Sequence, residues 1–240
     1  MVYFLLWFGL SLYVPQRSHP DTIQAGNPAV SAKRLRDFGL TRLLTLTKGG
    51  SVRPFGRQME RLSHATLYGE PALLDVLVFD TPNGKTVDSS WVDDQTLRPL
   101  RSRSHNASRV VRLDFATGLV RSETTPATGT ATRNDHLLPV QPFEWNVFGL
   151  AIAALPLHPG YRAVMPVYSD RSGRAAWYTV EVLDDTTLSS GAGPQQPAWE
   201  VLATSDSTVP MARFWITQPE RVVARVLVSE PGISILYARP

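Results

Sequence analysis

Ser104-His105, Asp135-His136, His158 and two pairs of adjacent acids, Asp93-Asp94 and Asp184-Asp185, are the residues whose types could do chemistry in this chain. A serine beside a histidine suggests a nucleophile and its base. Such a hydrolase holds its serine on a strained turn, with the base and an orienting acid converging in space. The chain has no G-x-S-x-G, and Ser104-His105 falls at the end of a basic, polar strand, where a solvated or backbone-bonded pair accounts for it. Imidazole and carboxylate from His105, Asp135-His136 and His158 would suit zinc. Their spacing matches no ligand pattern, and H-E-x-x-H is absent. His158, in Leu-Pro-Leu-His-Pro-Gly, reads as a histidine at a helix C-terminus, where a cation is favoured. Acids that share catalysis face one another across a cleft, whereas neighbours on a strand point to opposite faces. Each acid pair therefore reads as a turn in which an Asx side chain bonds its own backbone. Gly191-Ala-Gly193 lacks the third glycine, the strand, the helix and the acid of a dinucleotide site. The sequence thus nominates no catalytic residue, no metal ligand and no cofactor.

The tryptophans are the better lead. Trp7 stands in the leader, and Trp91, Trp145, Trp177, Trp199 and Trp215 are spread through the rest of the chain. Trp177 shares a polar strand face with Thr179 and Glu181, and Trp215 alternates with Phe214 and Ile216, so both could face away from a core. A concave apolar face lined with aromatics is what a hydrophobic-ligand cavity needs, and it is also what a packed core looks like. The residues nominated to line such a cavity are Trp91, Trp145, Phe148, Trp177 and Trp215.

These side chains need elements to hold them. Residues 142–157, P-F-E-W-N-V-F-G-L-A-I-A-A-L-P-L, carry Trp145, Phe148, Ile152 and Leu155 at spacings of three and four, which predicts one amphipathic helix over about 143–155. Pro142 suits its start and Pro156 its stop. Everything else reads as strand and turn. Strands are expected at 42–47, 62–68, 73–79, 86–92, 97–104, 109–115, 119–123, 161–168, 175–183, 199–204, 211–217, 220–228 and 233–237. Turn signals such as Thr81-Pro-Asn-Gly84 join them into an antiparallel meander. Residues 15–39 read as linker with one helical turn near 32–37, while 124–135 and 189–197 read as loops. A sheet of about a dozen strands would twist and curl to protect its edges, and the helix would lie in its concave face.

Composition bounds the rest. The chain has 240 residues, a formal net charge of +3, a hydrophobic content of 43% and no cysteine. It can bury a real core. Lack of cysteine excludes disulfides, iron–sulfur clusters, thiol catalysis, cysteine-ligated zinc and a lipidated-cysteine anchor. The high pI comes from arginine, which is scattered among acids rather than clustered as a nucleic-acid surface requires. An uncharged apolar run covers residues 2–14. It is short for a membrane span, which needs roughly twenty residues, and suits the apolar part of a secretory signal. Ala29-Val-Ser-Ala32 is the best small-x-small site, and a buried first strand or helix is the alternative. Residues 1–32 are expected as a leader and 33–240 as one antiparallel β-rich domain, periplasmic or otherwise exported, with the cytoplasm as the alternative compartment.

Several short stretches carry a family likeness: Asp88-Ser-Ser-Trp-Val-Asp93, Thr96-Leu-Arg-Pro-Leu100, Arg103-Ser-His105, Leu113-Asp-Phe115, Phe143-Glu-Trp-Asn146, Leu155-Pro-Leu157 with Gly160-Tyr161, and Phe214-Trp-Ile216. From about Ala72 to its end the chain resembles an uncharacterised family of bacterial envelope proteins, a domain of unknown function. Members of that family look related to the LolA/LolB lipoprotein-carrier fold. The resemblance implies a curved antiparallel sheet, a half-barrel wrapped over helix, and an envelope compartment. Residues and resemblance together point to a β-rich α+β fold and a non-enzymatic envelope domain. It would hold a lipid or other hydrophobic ligand in the concave face, with peripheral envelope contact and no nucleic acid. The alternative is a structural or protein-interaction module with a filled core. A hydrolase using His105 or His136 with nearby acids is a third, weaker class.

Overall fold

Alternating apolar and polar side chains drive most of the chain into extended strands. The structure, a computed structural model, describes residues 20–189, 195–205 and 211–240. The strands are β1 (Asp21–Thr22), β2 (Phe38–Lys48), β3 (Ser51–Leu67), β4 (Glu70–Thr81), β5 (Gly84–Asp93), β6 (Pro99–Asn106), β7 (Arg109–Ala116) and β8 (Leu119–Pro126). They continue with β9 (Thr132–Leu137), β10 (Phe143–Glu144), β11 (Arg162–Ser169), β12 (Arg174–Leu188), β13 (Gln196–Thr204), β14 (Met211–Thr217), β15 (Val223–Glu230) and β16 (Ile233–Ala238). All join one open sheet in the order β1-β11-β12-β13-β14-β15-β16-β2-β3-β4-β5-β6-β7-β8-β9, with β10 beside β1 on the outer edge of β11. Two meanders of sequential neighbours, β2 to β9 and β11 to β16, are thus joined at a single seam, where Ile233–Ala238 pairs antiparallel with 43–48. Among the described residues only β1 and β10 pair in parallel.

The expected helix is the main correction. Helix α1 covers only Phe148–Ala153. Phe143 and Glu144 instead pair with Val167 and Tyr168 as β10, which withdraws the first turn of the predicted helix into the sheet. The helix is not amphipathic either. Phe148, Leu150, Ala151, Ile152 and Ala153 are all buried, so α1 is covered on every side, as an all-apolar helix must be. His158 consequently lies in an exposed turn beyond the helix, its Nδ1 3.0 Å from the Pro159 carbonyl oxygen.

Other elements were longer or more ordered than their composition predicts. Composition reads residues 15–39 as linker, yet within the described part Ile23, Ala25, Val30 and Ala32 belong to the main core, and the predicted turn is a 3-10 turn, Ala32–Arg34. Part of the loop expected at 124–135 is strand, because β8 runs to Pro126 and β9 begins at Thr132. Asp184-Asp185 is not a turn but part of β12, at a break in register with β13. Strand β3 begins eleven residues before the predicted start, at Ser51. Its first part is polar and exposed, so alternation cannot reveal it. The apolar run 2–14 and Gly191-Ala-Gly193 lie outside the described residues.

Gly56 shows how tightly β3 is fitted. Its φ is +134°, and a Cβ there would sit 2.2 Å from the backbone oxygen of Asp80 on β4. Gly56→Ala is expected to destabilise by about 1–3 kcal/mol, the range for a strained backbone position. A urea midpoint equal to wild type would show that β4 gives way freely.

The main core lies between α1 and the inner face of the sheet, with Phe143, Phe148, Leu155, Met165, Val180, Val201 and Ile216 among its buried members. A second cluster, Val111, Leu113, Phe115, Val120 and Tyr168, sits at the far end of the sheet. There Tyr168 of β11 packs edge-on against Phe115 of β7 at 5.9 Å and lies 6.0 Å from the His136 ring of β9. These ring contacts bring β11 beside β7 and β9, which lie at the other end of the strand order.

Candidate functional site

Because side chains alternate along a strand, register decides what gathers on the inner face. Asp75 pairs with Ser90, and Ser90 with Ser102, which sets a polar row across β4, β5 and β6. A parallel row runs through Glu60, Leu77, Asp88 and Ser104. Arg42 lies opposite Gln58 on the same face. Strand β10 lays Glu144 over these rows. Arg42, Gln58, Glu60, Asp75, Asp88, Ser90, Ser102 and Glu144 are all buried.

Burial on this scale demands partners. Arg42 has them. Its Nη1 donates to Gln58 Oε1 at 2.7 Å and to the Glu60 carboxylate, while Nε and Nη2 both donate to the Val223 carbonyl oxygen on β15. The acids are less well served. Both carboxylate oxygens of Asp75, Oδ1 of Asp88 and Oε2 of Glu144 have no hydrogen-bond partner. Burial pushes the Glu144 carboxyl up to about 8, and the Ser90 and Ser102 hydroxyls hold it from rising further. Burial, reinforced by the nearby Glu60 charge, holds Asp75 well above the usual carboxylate range. Burial also raises Asp88, against the bond from Ser104, and the Asp170 charge adds to the rise. Near neutral pH Glu144 is therefore held in its protonated form, and Asp75 is shifted in the same direction.

Beside this cluster is an apolar cavity of about 110 Å³. Leu77, Phe79, Trp145, Phe148, Phe214 and Tyr237 line it, and Arg42, Gln58 and Glu60 form its polar end. Trp145, Phe148 and Tyr178 make an aromatic group with ring centroids 5.3–6.1 Å apart, and Phe214 meets Phe148 edge-on. Of the nominated ligand-lining residues the structure brings together Trp145 and Phe148. Trp91, Trp177 and Trp215 point to the opposite face, because their strand neighbours Val92, Tyr178 and Phe214 are the buried ones. Trp215 instead lies under the Arg225 guanidinium, 5.5 Å from its ring centre.

The residues whose types could do catalysis are dispersed. Ser104 faces inward beside Asp88, whereas His105 is exposed on the other face. His136 abuts Tyr168, and Asp135 reaches Arg121 at 4.0 Å. Asp93 does make the expected Asx turn, accepting from the Gln95 and Thr96 backbone amides. Among the described residues no three His, Cys, Asp or Glu side chains are placed to hold a metal ion, and no helix is long and apolar enough to cross a membrane. The sequence does signal the acids that matter. Asp75 interrupts an apolar run, and Glu144 stands between Phe143 and Trp145. A lone acid at an inward strand position is the mark, and a search for acids in pairs passes over it.

Residues 65–232, well over half of the chain, match the family described as protein of unknown function DUF3108. The chain belongs to the DUF3108 family. The match contains Asp75, Asp88 and Glu144 and most of the cavity wall, whereas Arg42, Gln58 and Glu60 precede it and Tyr237 follows it. No curated protein matches the chain. Among solved structures, a crystal structure of a DUF1329 family protein from Desulfovibrio piger ATCC 29098 is similar with a TM-score of 0.30 and 11% identity, over 90% of this chain and 91% of that one.

Proposed function

We propose that this DUF3108 chain is a non-enzymatic envelope domain that takes up an apolar ligand, such as the end of an acyl chain, against the inner face of its sheet. The observation that carries this reading is the apolar cavity between α1 and strands β4, β14, β15 and β16. Its volume of about 110 Å³ is modest. A dry cavity of roughly 150 Å³ accepts benzene, so the space suits the tip of a chain whose remainder follows the open side. Each methylene buried contributes about 0.8 kcal/mol. A half-barrel of the lipoprotein-carrier kind is part of the proposal, supported by the ring contacts of Tyr168 with Phe115 and His136. Export is also part of it, supported by the apolar run at 2–14. Any processing would fall ahead of Ile23, whose side chain belongs to the core.

The test is displacement of a fluorescent naphthylamine probe by medium-chain fatty acids, together with native mass spectra of gently purified protein. Saturable displacement is expected. Val226→Phe, which fills the cavity from β15, is expected to abolish it while keeping the melting midpoint. Undiminished binding by that variant, or no displacement at all, would overturn the reading and leave a filled-core interaction module.

A further inference from the structure

Next to the apolar cavity, across Asn146, lies a second and more polar pocket of about 60 Å³. Three carboxylates line it, Asp88, Glu144 and Asp170, with the hydroxyls of Ser102 and Ser104 between them. Glu144 is only 4% exposed, and its Oε2 has no partner; Oδ1 of Asp88 has none either. The buried cation nearest in kind, Arg42, is already committed to Glu60, Gln58 and the Val223 carbonyl oxygen. The pocket therefore offers acceptors and negative charge with no donor cation of its own. Val111, Leu113 and Asp170 continue from it into a wider cleft of about 260 Å³ that also touches Tyr168 and His136.

This chemistry selects its ligand. A bare metal ion needs several oxygens within one tight shell, and among the described residues no three acids or histidines are so placed. An ammonium group has three N–H donors pointing apart, so it can reach separate carboxylates, and charge-assisted bonds of this kind are the strong ones. We propose that the pocket binds the ammonium end of a small alkylamine, with the alkyl stem lying along Val111 and Leu113 toward Tyr168. This site is separate from the apolar cavity and does not rest on it.

Binding is coupled to protons. Glu144 is pushed up to about 8, mainly by burial. The groups acting on it are Asp88 and Asp170, which share the pocket, the Ser90 and Ser102 hydroxyls, and Asn146, which donates to its Oε1 at 3.3 Å. Asp75 and Tyr168 also feel its charge, and Arg109, Arg171 and His136 stand along the wider cleft. The ammonium favours the ionised carboxyl. Binding at neutral pH must then release a proton, and affinity must rise as pH rises toward about 8.

The experiment is calorimetric titration of the full chain with pentylamine, in two buffers of different ionisation enthalpy, with pentanol as the uncharged control. One-to-one saturable binding with proton release is expected. Glu144→Gln is expected to weaken pentylamine binding by about tenfold or more and to end the proton release. Asp170→Asn, a change at an exposed turn residue, is expected to weaken it as well without touching the fold, so it decides the matter if Glu144→Gln does not fold. Absence of saturable heat would overturn the proposal. So would equal affinity in wild type and both variants, which marks general surface association, or equal binding of pentanol, which marks the apolar cavity alone.

Discussion

Glu144→Gln is expected to make the protein more stable at alkaline pH and to flatten part of its stability profile. The folded chain holds the Glu144 proton up to about pH 8, and the ordinary value is 4.5. Between those values the native state binds a proton that the unfolded chain has already released, so stability falls as pH rises. Below 4.5 both states are protonated and the penalty is absent; above 8 it is complete. At about 1.4 kcal/mol per unit, the full penalty is about 5 kcal/mol. Glutamine keeps the shape and does not titrate, so the variant gains over wild type through this window and not below it. Asp75 is shifted in the same direction by burial and by the Glu60 charge, and it leaves a residual slope in the variant. Urea unfolding across the pH range is the measurement. Parallel curves for variant and wild type would show that Glu144 does not titrate in the fold as described.

Arg42→Ala is expected to cost about 3–5 kcal/mol, the range for removing one partner of a buried ion pair. Arg42 is 1% exposed, and its guanidinium joins β2, β3 and β15 by serving Gln58, Glu60 and the Val223 carbonyl oxygen. Truncation leaves Glu60 buried without a counter-charge, close to Asp75. Replacing the pair together, Arg42→Met with Glu60→Leu, is expected to recover most of that loss, because a buried pair exchanged for apolar groups of similar volume is often neutral or better. A double variant no more stable than Arg42→Ala would show that the cost comes from lost packing or from the Val223 bond rather than from the stranded carboxylate.

Strands with clean alternation were legible in the sequence. Residues 109–115 and 178–182, for example, alternate apolar and polar, and β7 and β12 lie there. What escaped was structure held by something other than periodicity. Residues 143–146 carry an apolar pattern that fits either a helix or a strand, and the free edge of β11 decides it by capturing Phe143 and Glu144. The first part of β3 is exposed and polar, so only pairing with β2 reveals it. The candidate site was half legible. Trp145 and Phe148 were readable as inward aromatics, whereas the gathering of Asp75, Asp88 and Glu144 depends on register across β4, β5 and β10, which no single stretch contains.

The seam between β16 and β2 bears on how such a chain is made. Within each meander nearly every strand bonds to its sequence neighbour, so closing those loops is entropically cheap. The seam joins residues 43–48 to Ile233–Ala238 and spans nearly the whole described chain. During synthesis the first meander emerges with the outer side of β2 unpaired, and it stays so until β16 has left the ribosome. Residues Ile233–Ala238 act as the zip that turns two half-sheets into one, and a chain lacking them would carry two exposed edges ready to pair with another copy.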